Sequence, residues 1–258
     1  MSTPCISILG CGWLGLPLGE TLVNLGYMVN GSTTRSERLP TIASKGIQPF
    51  VIDISNFNTD VTAFLTTDIL IIAITHKTEA HFKTLANAIA ESPVKHVIFI
   101  SSTSVYPNTN AIVTEEDTTS DTPLANIEQL FINHTEFTTT IIRFAGLFGA
   151  SRHPGRFMKP DRPANNPEGF INLIHLDDCI GIICKLIETN SFNTIFNVCA
   201  DTHPTRRAFY TKAVLNLGKP APKFNEASTN DYKIISNTKV KSVLNYTFKV
   251  PDLMAYLD

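Results

Sequence analysis

The run Cys5-Ile6-Ser7-Ile8-Leu9-Gly10-Cys11-Gly12-Trp13-Leu14-Gly15 leads from a strand-sized apolar segment through a glycine-rich turn into a helix. From Trp13 to Leu25 the apolar residues recur at helical spacing, and Gly26 supplies a natural C-cap. In Gly-x-Gly-x-x-Gly the first glycine permits a tight turn, the second lets a pyrophosphate approach the backbone, and the third lets helix and strand pack closely. The helix start adds N–H groups and a partial positive charge suited to phosphates. A dinucleotide seat is therefore expected at Gly10, Gly12, Trp13, Leu14 and Gly15. Cys11 reads as a small filler, and Trp13 also packs at the helix start. The competing reading is a glycine-rich turn with no ligand.

Outward from the turn, strand-like and helix-like segments alternate. Tyr27 to Asn30, Pro49 to Ile54, the continuous apolar run Asp68 to Ile74, His96 to Ser101 and Thr140 to Phe144 read as strands. Ser36 to Ser44, Glu79 to Glu91 and Leu124 to Phe137 read as helices. This order predicts an α/β fold, a doubly wound parallel sheet with right-handed crossovers. The second half is less regular. Ala150 to Gly169 carries four prolines and two glycines and reads as a loop or lobe. Phe170 to Ile174 and Ile195 to Val198 then read as strands, and Asp178 to Ile187 and Arg206 to Leu217 as helices. Pattern determines little from Pro220 onward. A dinucleotide-binding domain over 1–149 and a smaller substrate-side lobe over 150–258 are expected.

Composition narrows the function classes. The chain has 258 residues, 43% hydrophobic and 17% charged, as expected for a well-buried globular protein. A formal net charge of -2 gives no general attraction to nucleic acid or an anionic membrane. Met1-Ser2-Thr3-Pro4 lacks the basic start of a signal peptide, and no apolar run is long enough to span a bilayer. Five cysteines without close pairing, Cys5, Cys11, Cys179, Cys184 and Cys199, fit a reducing, cytoplasmic setting. The histidine spacing supports no metal site.

The choice between NAD and NADP falls about 20 residues beyond the glycines, where an NAD site usually carries Asp or Glu for the ribose 2′-hydroxyl. Here the chain reads Asn30-Gly31-Ser32-Thr33-Thr34-Arg35, with no carboxylate. The hydroxyls of Thr33 and Thr34 and the guanidinium of Arg35 suit a 2′-phosphate, and Arg38 could assist. NADP is the expected cofactor, with NAD as the alternative. Arg35 can also be read as a solvated residue preceding the next helix.

Several stretches together resemble the extended, atypical short-chain dehydrogenases/reductases, the NAD-dependent epimerase/dehydratase group with its Rossmann fold. They are the glycine turn, Val51-Ile52-Asp53-Ile54, Ser101-Ser102-Thr103-Ser104-Val105-Tyr106-Pro107, Arg143-Phe144-Ala145-Gly146-Leu147-Phe148-Gly149 and Ile174-His175-Leu176-Asp177-Asp178. The Thr33-Thr34-Arg35 run is similar to the compact YeeZ-like branch. The resemblance implies that Asp53 lies near the adenine. It implies that Ala73, Ile74 and Thr75 line the cofactor near its ribose, and that Ser101 belongs to the cofactor side. Ser102 is implied as the active-site hydroxyl, and Arg143 and the Asp177-Asp178 pair as structural residues.

The same group relies on a Tyr and a Lys four residues apart on the helix after the serine loop. The ammonium lowers the tyrosine's pKa, and the phenol then passes a proton. No tyrosine of this chain has Lys four positions on. The corresponding helix offers Asn126, Glu128 and Gln129; Glu128 could act as a base, but is read first as a solvated helix-face carboxylate. On the substrate side, Tyr106 and the basic loop residues Arg152, His153 and Arg156 are candidates, the loop for an anionic group. Three readings follow. One is an NADP-dependent oxidoreductase acting on a small substrate, as a monomer or homodimer. Another is a non-catalytic NADP-binding sensor, and the last is a scaffold that binds no nucleotide.

Overall fold

A computed structural model of the chain describes residues 4–56, 61–159 and 161–257. Met1 to Thr3 of the N-terminal reading and Pro160 of the proline-rich loop lie outside them. In chain order the first elements are β1 (Cys5–Leu9), α1 (Gly15–Asn24), β2 (Met28–Thr33), α2 (Leu39–Ala43), β3 (Gln48–Val51), α3 (Thr62–Leu65), β4 (Ile69–Ile72), α4 (Glu79–Ala90) and β5 (His96–Ser102). They are followed by β6 (Ile112–Val113), α5 (Pro123–Ile132), β7 (Thr138–Phe144), β8 (Gly146–Phe148), β9 (Leu173–His175) and α6 (Leu176–Thr189). The last are β10 (Ile195–Val198), α7 (Arg206–Leu215), β11 (Ile234–Ile235) and α8 (Thr238–Leu244).

The main sheet has seven strands in the order β10-β7-β5-β4-β1-β2-β3. β1 pairs in parallel with β2 and with β4, β2 with β3, and β4 with β5. This is the expected doubly wound α/β sheet. Strand order reverses between β1 and β4, the position where open sheets of this kind hold ligands at their carboxyl edge.

Two compact units interleave along the chain. The first comprises 1–101, 121–142 and 186–195, and the second 102–120, 143–185 and 196–258. The first unit's core packs Leu9, Ile72, Phe82, Phe99, Phe131 and Ile141 among others. Its rings meet edge-on or tilted, Phe82 to Phe99 at 5.8 Å and Phe99 to Phe131 at 5.3 Å between centroids. Each such pair contributes about 0.5–1.5 kcal/mol beyond burial. The second unit has a separate core around Phe148, Leu173, Phe209, Ala213 and Leu253.

Two elements depart from their expected bounds for local reasons. The helix expected to reach Phe137 ends at Ile132. Thr139 Oγ1 donates to the Phe131 carbonyl at 2.9 Å, and His134 stacks on Phe137 across the turn that follows. The strand expected from Phe170 to Ile174 is confined to Leu173–His175. Within the lost part Asn172 accepts from the Ile235 amide and donates to the Lys233 carbonyl, both at 2.9 Å, so it serves the C-terminal segment instead. That segment, undetermined by pattern, is anchored by Asp178. Its buried carboxylate accepts from the amides of Lys249 and Val250 and from the Tyr246 hydroxyl. Among the described residues no helix is long and apolar enough to cross a membrane.

Candidate functional site

In the first unit the turn after β1 is shaped by what its glycines lack. Gly10 sits at φ +104, in the region L side chains rarely adopt. A Cβ there would lie 2.7 Å from Ile74 Cγ2 and 2.8 Å from the Ala73 carbonyl oxygen. One at Gly15 would collide with the Gly10 carbonyl oxygen. Gly12 is different. It is exposed, and a Cβ there meets nothing within 4 Å, so open space lies against its backbone. α1 begins beside that space with no side-chain cap and no acidic residue in its first turn. Open space, a close backbone and an uncapped helix start fit a diphosphate.

The turn is held from β2. Gly10 N donates to Ser32 Oγ at 3.0 Å, and Cys11 N donates to the Ser32 carbonyl at 2.7 Å. Ser32 stands in the run read for a 2′-phosphate, but its side chain is buried and holds the turn, a role that carries no sequence signal. Cys11 is buried, and burial pushes its thiol up to about 11, which suits a filler and not a reactive thiolate. A Cβ at Gly31 would lie 2.5 Å from its sulfur, so that glycine makes room for Cys11.

The remaining first-unit candidates fall at the ends of β2, β3, β4 and β5. Thr33 is buried, Thr34 and Arg35 are exposed, and the Arg35 amide donates to Thr33 Oγ1 at 3.3 Å. The guanidinium of Arg35 is 3.9 Å from Glu37, a weak exposed pair. The Asp53 carboxyl accepts from the Ser55 hydroxyl and amide, which hold its pKa below the usual range. Ala73 and Ile74 lie against Gly10, with Thr75 exposed beyond them. Ser101 is buried and donates to the Glu128 carboxylate. Glu128 is wholly buried on the inner face of α5, which corrects its reading as a solvated carboxylate. The hydrogen bond from the Ser101 hydroxyl offsets part of the cost of that burial.

In the second unit Ser102 caps the short turn over Thr103–Val105, accepting from the Ser104 amide at 3.1 Å. It lines a cavity of about 360 Å³ together with Asn172, Arg206, Tyr210, Tyr232 and Lys233. The other substrate-side candidates are placed elsewhere. Tyr106 is buried, its hydroxyl donating to Asn197 Oδ1 at 3.0 Å and accepting from Arg143. Burial pushes that phenol's pKa up, against the pull of the Arg143 guanidinium. Arg152 and Arg156 are exposed, and His153 Nδ1 accepts from the Gly155 amide at 3.1 Å. None of these four lines the cavity. Arg206 and Lys233 carried no sequence signal, because they lie far apart in the chain from Ser102 and from each other. The cysteines are all free, and no cluster able to hold a metal ion occurs among the described residues.

No family model matches the chain. Protein YeeZ of Escherichia coli (strain K12) is 31% identical over 267 residues, covering 96% of each chain. Among solved structures, a conserved protein of unknown function from Silicibacter pomeroyi DSS superposes with a TM-score of 0.83 at 20% identity, covering 99% of this chain and 97% of the other. UDP-glucuronic acid 4-epimerase from Bacillus cereus in complex with NAD gives 0.78 at 20% identity, covering 98% and 95%. These structures share the fold, and the YeeZ match spans almost every element described above. The chain belongs to the YeeZ-like proteins.

Proposed function

We propose that the chain binds NADP at the glycine turn and acts as an NADP-dependent oxidoreductase on a small substrate. The open space over Gly12 at the uncapped start of α1 carries the cofactor assignment. NADP over NAD rests on the absence of a carboxylate from Ser32-Thr33-Thr34-Arg35 and on the exposed Arg35 guanidinium. The shared fold supports dinucleotide binding, since the Bacillus cereus neighbour is a complex with NAD. Trp13, Leu14, Asp53, Ala73, Ile74, Thr75 and Ser101 complete the proposed cofactor set. Such a cofactor, when bound, gives or takes a hydride. Ser102 orients the substrate's carbonyl or hydroxyl from the cavity of the second unit. Five free cysteines support a reducing cytoplasm as its location.

A second reading, a non-catalytic NADP-binding sensor, draws support from α5. That helix carries no Tyr–Lys pair, and its Glu128 is consumed by Ser101. Thermal unfolding with NADP and with NAD tests the shared core of both readings. A ligand at 100 times its Kd stabilises by about 2.7 kcal/mol. NADP is expected to raise the Tm more than NAD, and Arg35→Ala to remove the difference. Equal shifts in the wild type would refute the 2′-phosphate argument, and no shift with either would refute cofactor binding. A screen of carbonyl compounds for NADPH oxidation separates oxidoreductase from sensor.

A further inference from the structure

Arg206 and Arg207 are neighbours at the start of α7 with opposite circumstances. Arg207 is fully engaged, with Nε donating to Glu168 at 2.6 Å, Nη1 and Nη2 donating to Glu226, and its guanidinium over the Phe224 ring. Arg206 lines the cavity instead. Its Nε is buried and has no hydrogen-bond partner, and its guanidinium forms no ion pair, among the described residues. A buried guanidinium Nε with its donor unused carries a cost unless something arrives to accept from it.

Lys233 faces the same cavity. Its Nζ makes one bond, to the Tyr106 carbonyl oxygen at 2.5 Å, which points the ammonium but supplies no counter-charge. An ammonium has three donors, so two remain. Burial holds its pKa below the usual lysine range, as expected where no anion stands beside it. Asn172 fixes the segment that carries it, through the Lys233 carbonyl and the Ile235 amide. Asp231 is the one acid lining the cavity. It accepts from Thr229 at 2.7 Å and pairs with neither cation among the described residues. Tyr232, edge-on to Phe170 at 4.8 Å between centroids, and the buried Tyr210 give the cavity an aromatic wall. Its volume falls at the small end of ligand pockets, which run from about 300 to 1,000 Å³.

We infer that this cavity recognises a small molecule carrying an oxyanion, carboxylate or phosphate, which Arg206 grips through its fork and Lys233 as a point charge, with Ser102 left to address the rest of the ligand. The inference rests on the proposed reading of Ser102 as a substrate-side hydroxyl, but its anion grip can be tested without turnover.

The test is calorimetric titration of the full chain with inorganic phosphate and with succinate at constant ionic strength. Saturable binding of at least one is expected. Arg206→Gln should weaken it tenfold or more and Lys233→Gln several-fold, while Arg207→Gln leaves it unchanged. Arg206→Lys, which keeps the charge and loses the fork, should fall between. Stronger phosphate binding assigns a phosphoryl group and stronger succinate binding a carboxylate. Gly12→Ala separates the two proposed sites. Anion binding that survives Gly12→Ala supports the cavity, whereas binding lost with Gly12→Ala and kept in Arg206→Gln places the anion at the glycine turn and overturns the inference. Absence of saturable binding of either anion to folded protein overturns it too, and leaves the NADP reading to its own thermal-shift test.

Discussion

At the glycine turn, the proposed recognition rests on backbone amides and on space left by missing side chains, whereas the second unit's cavity offers the guanidinium of Arg206, the ammonium of Lys233 and the hydroxyl of Ser102. The turn is local, with Gly10, Gly12 and Gly15 within one loop and one helix start. The cavity gathers residues from positions 102 to 233, spread over about half of the chain. The first kind of site tolerates side-chain change around it but no added Cβ at its contact points. The second depends on charges that the fold leaves without partners. The turn is thus short in sequence, and the cavity exists only where distant segments meet.

The largest break in this contrast should come from Gly15→Ala. The added methyl collides with the Gly10 carbonyl oxygen, so backbone must move. Overpacking of this kind costs about 1–3 kcal/mol and at a backbone contact reaches the upper end or beyond. Denaturant unfolding should show that loss, with the NADP-dependent Tm shift abolished. Glu128→Ala comes next. It leaves the Ser101 hydroxyl buried without its acceptor and opens a cavity in a fully enclosed position, for about 2–3 kcal/mol in the same assay.

Gly12→Ala sharpens the comparison. No atom lies within 4 Å of the new methyl, so stability of the free protein should stay within about 0.5 kcal/mol of wild type. Affinity for NADP should nevertheless fall at least tenfold, about 1.4 kcal/mol, because the methyl occupies the space the diphosphate needs. A parallel loss of stability and binding would mean that the space is structural. The smallest effect concerns pH in the second unit. Burial holds the His203 pKa below its ordinary value, against the carbonyl of Ile171 that faces its Nδ1. The unfolded chain therefore binds the proton more readily than the folded one. This contribution is complete above about pH 6.5 and declines as pH falls through the lower folded pKa. Urea titrations between pH 5 and 7.5 should show that decline, and His203→Gln should flatten it.

Much of the first unit was readable in the chain because its signals are short-range. Alternating apolar runs fixed five strands and their helices, and the glycine spacing marked the turn. The places where pattern misled are places where distant residues intervene. Glu128 looks like a solvated helix carboxylate until Ser101, 27 residues earlier, is brought against it. The strand expected at Phe170 is cut short because Asn172 serves the backbone at Lys233 and Ile235.

By itself the sequence determined the parallel α/β sheet, the glycine turn and the family, since strand periodicity, turn chemistry and helix starts are properties of neighbouring residues. Tertiary structure alone decided which polar groups are used up and which stay available. Tyr106, a neighbour of Ser102 in sequence, has its hydroxyl consumed by Asn197 and Arg143, whereas Arg206, a hundred residues away, lines the same cavity as Ser102. The physical reason is that a side chain's availability depends on whether its donors and acceptors meet partners on folding, and those partners come from anywhere in the chain.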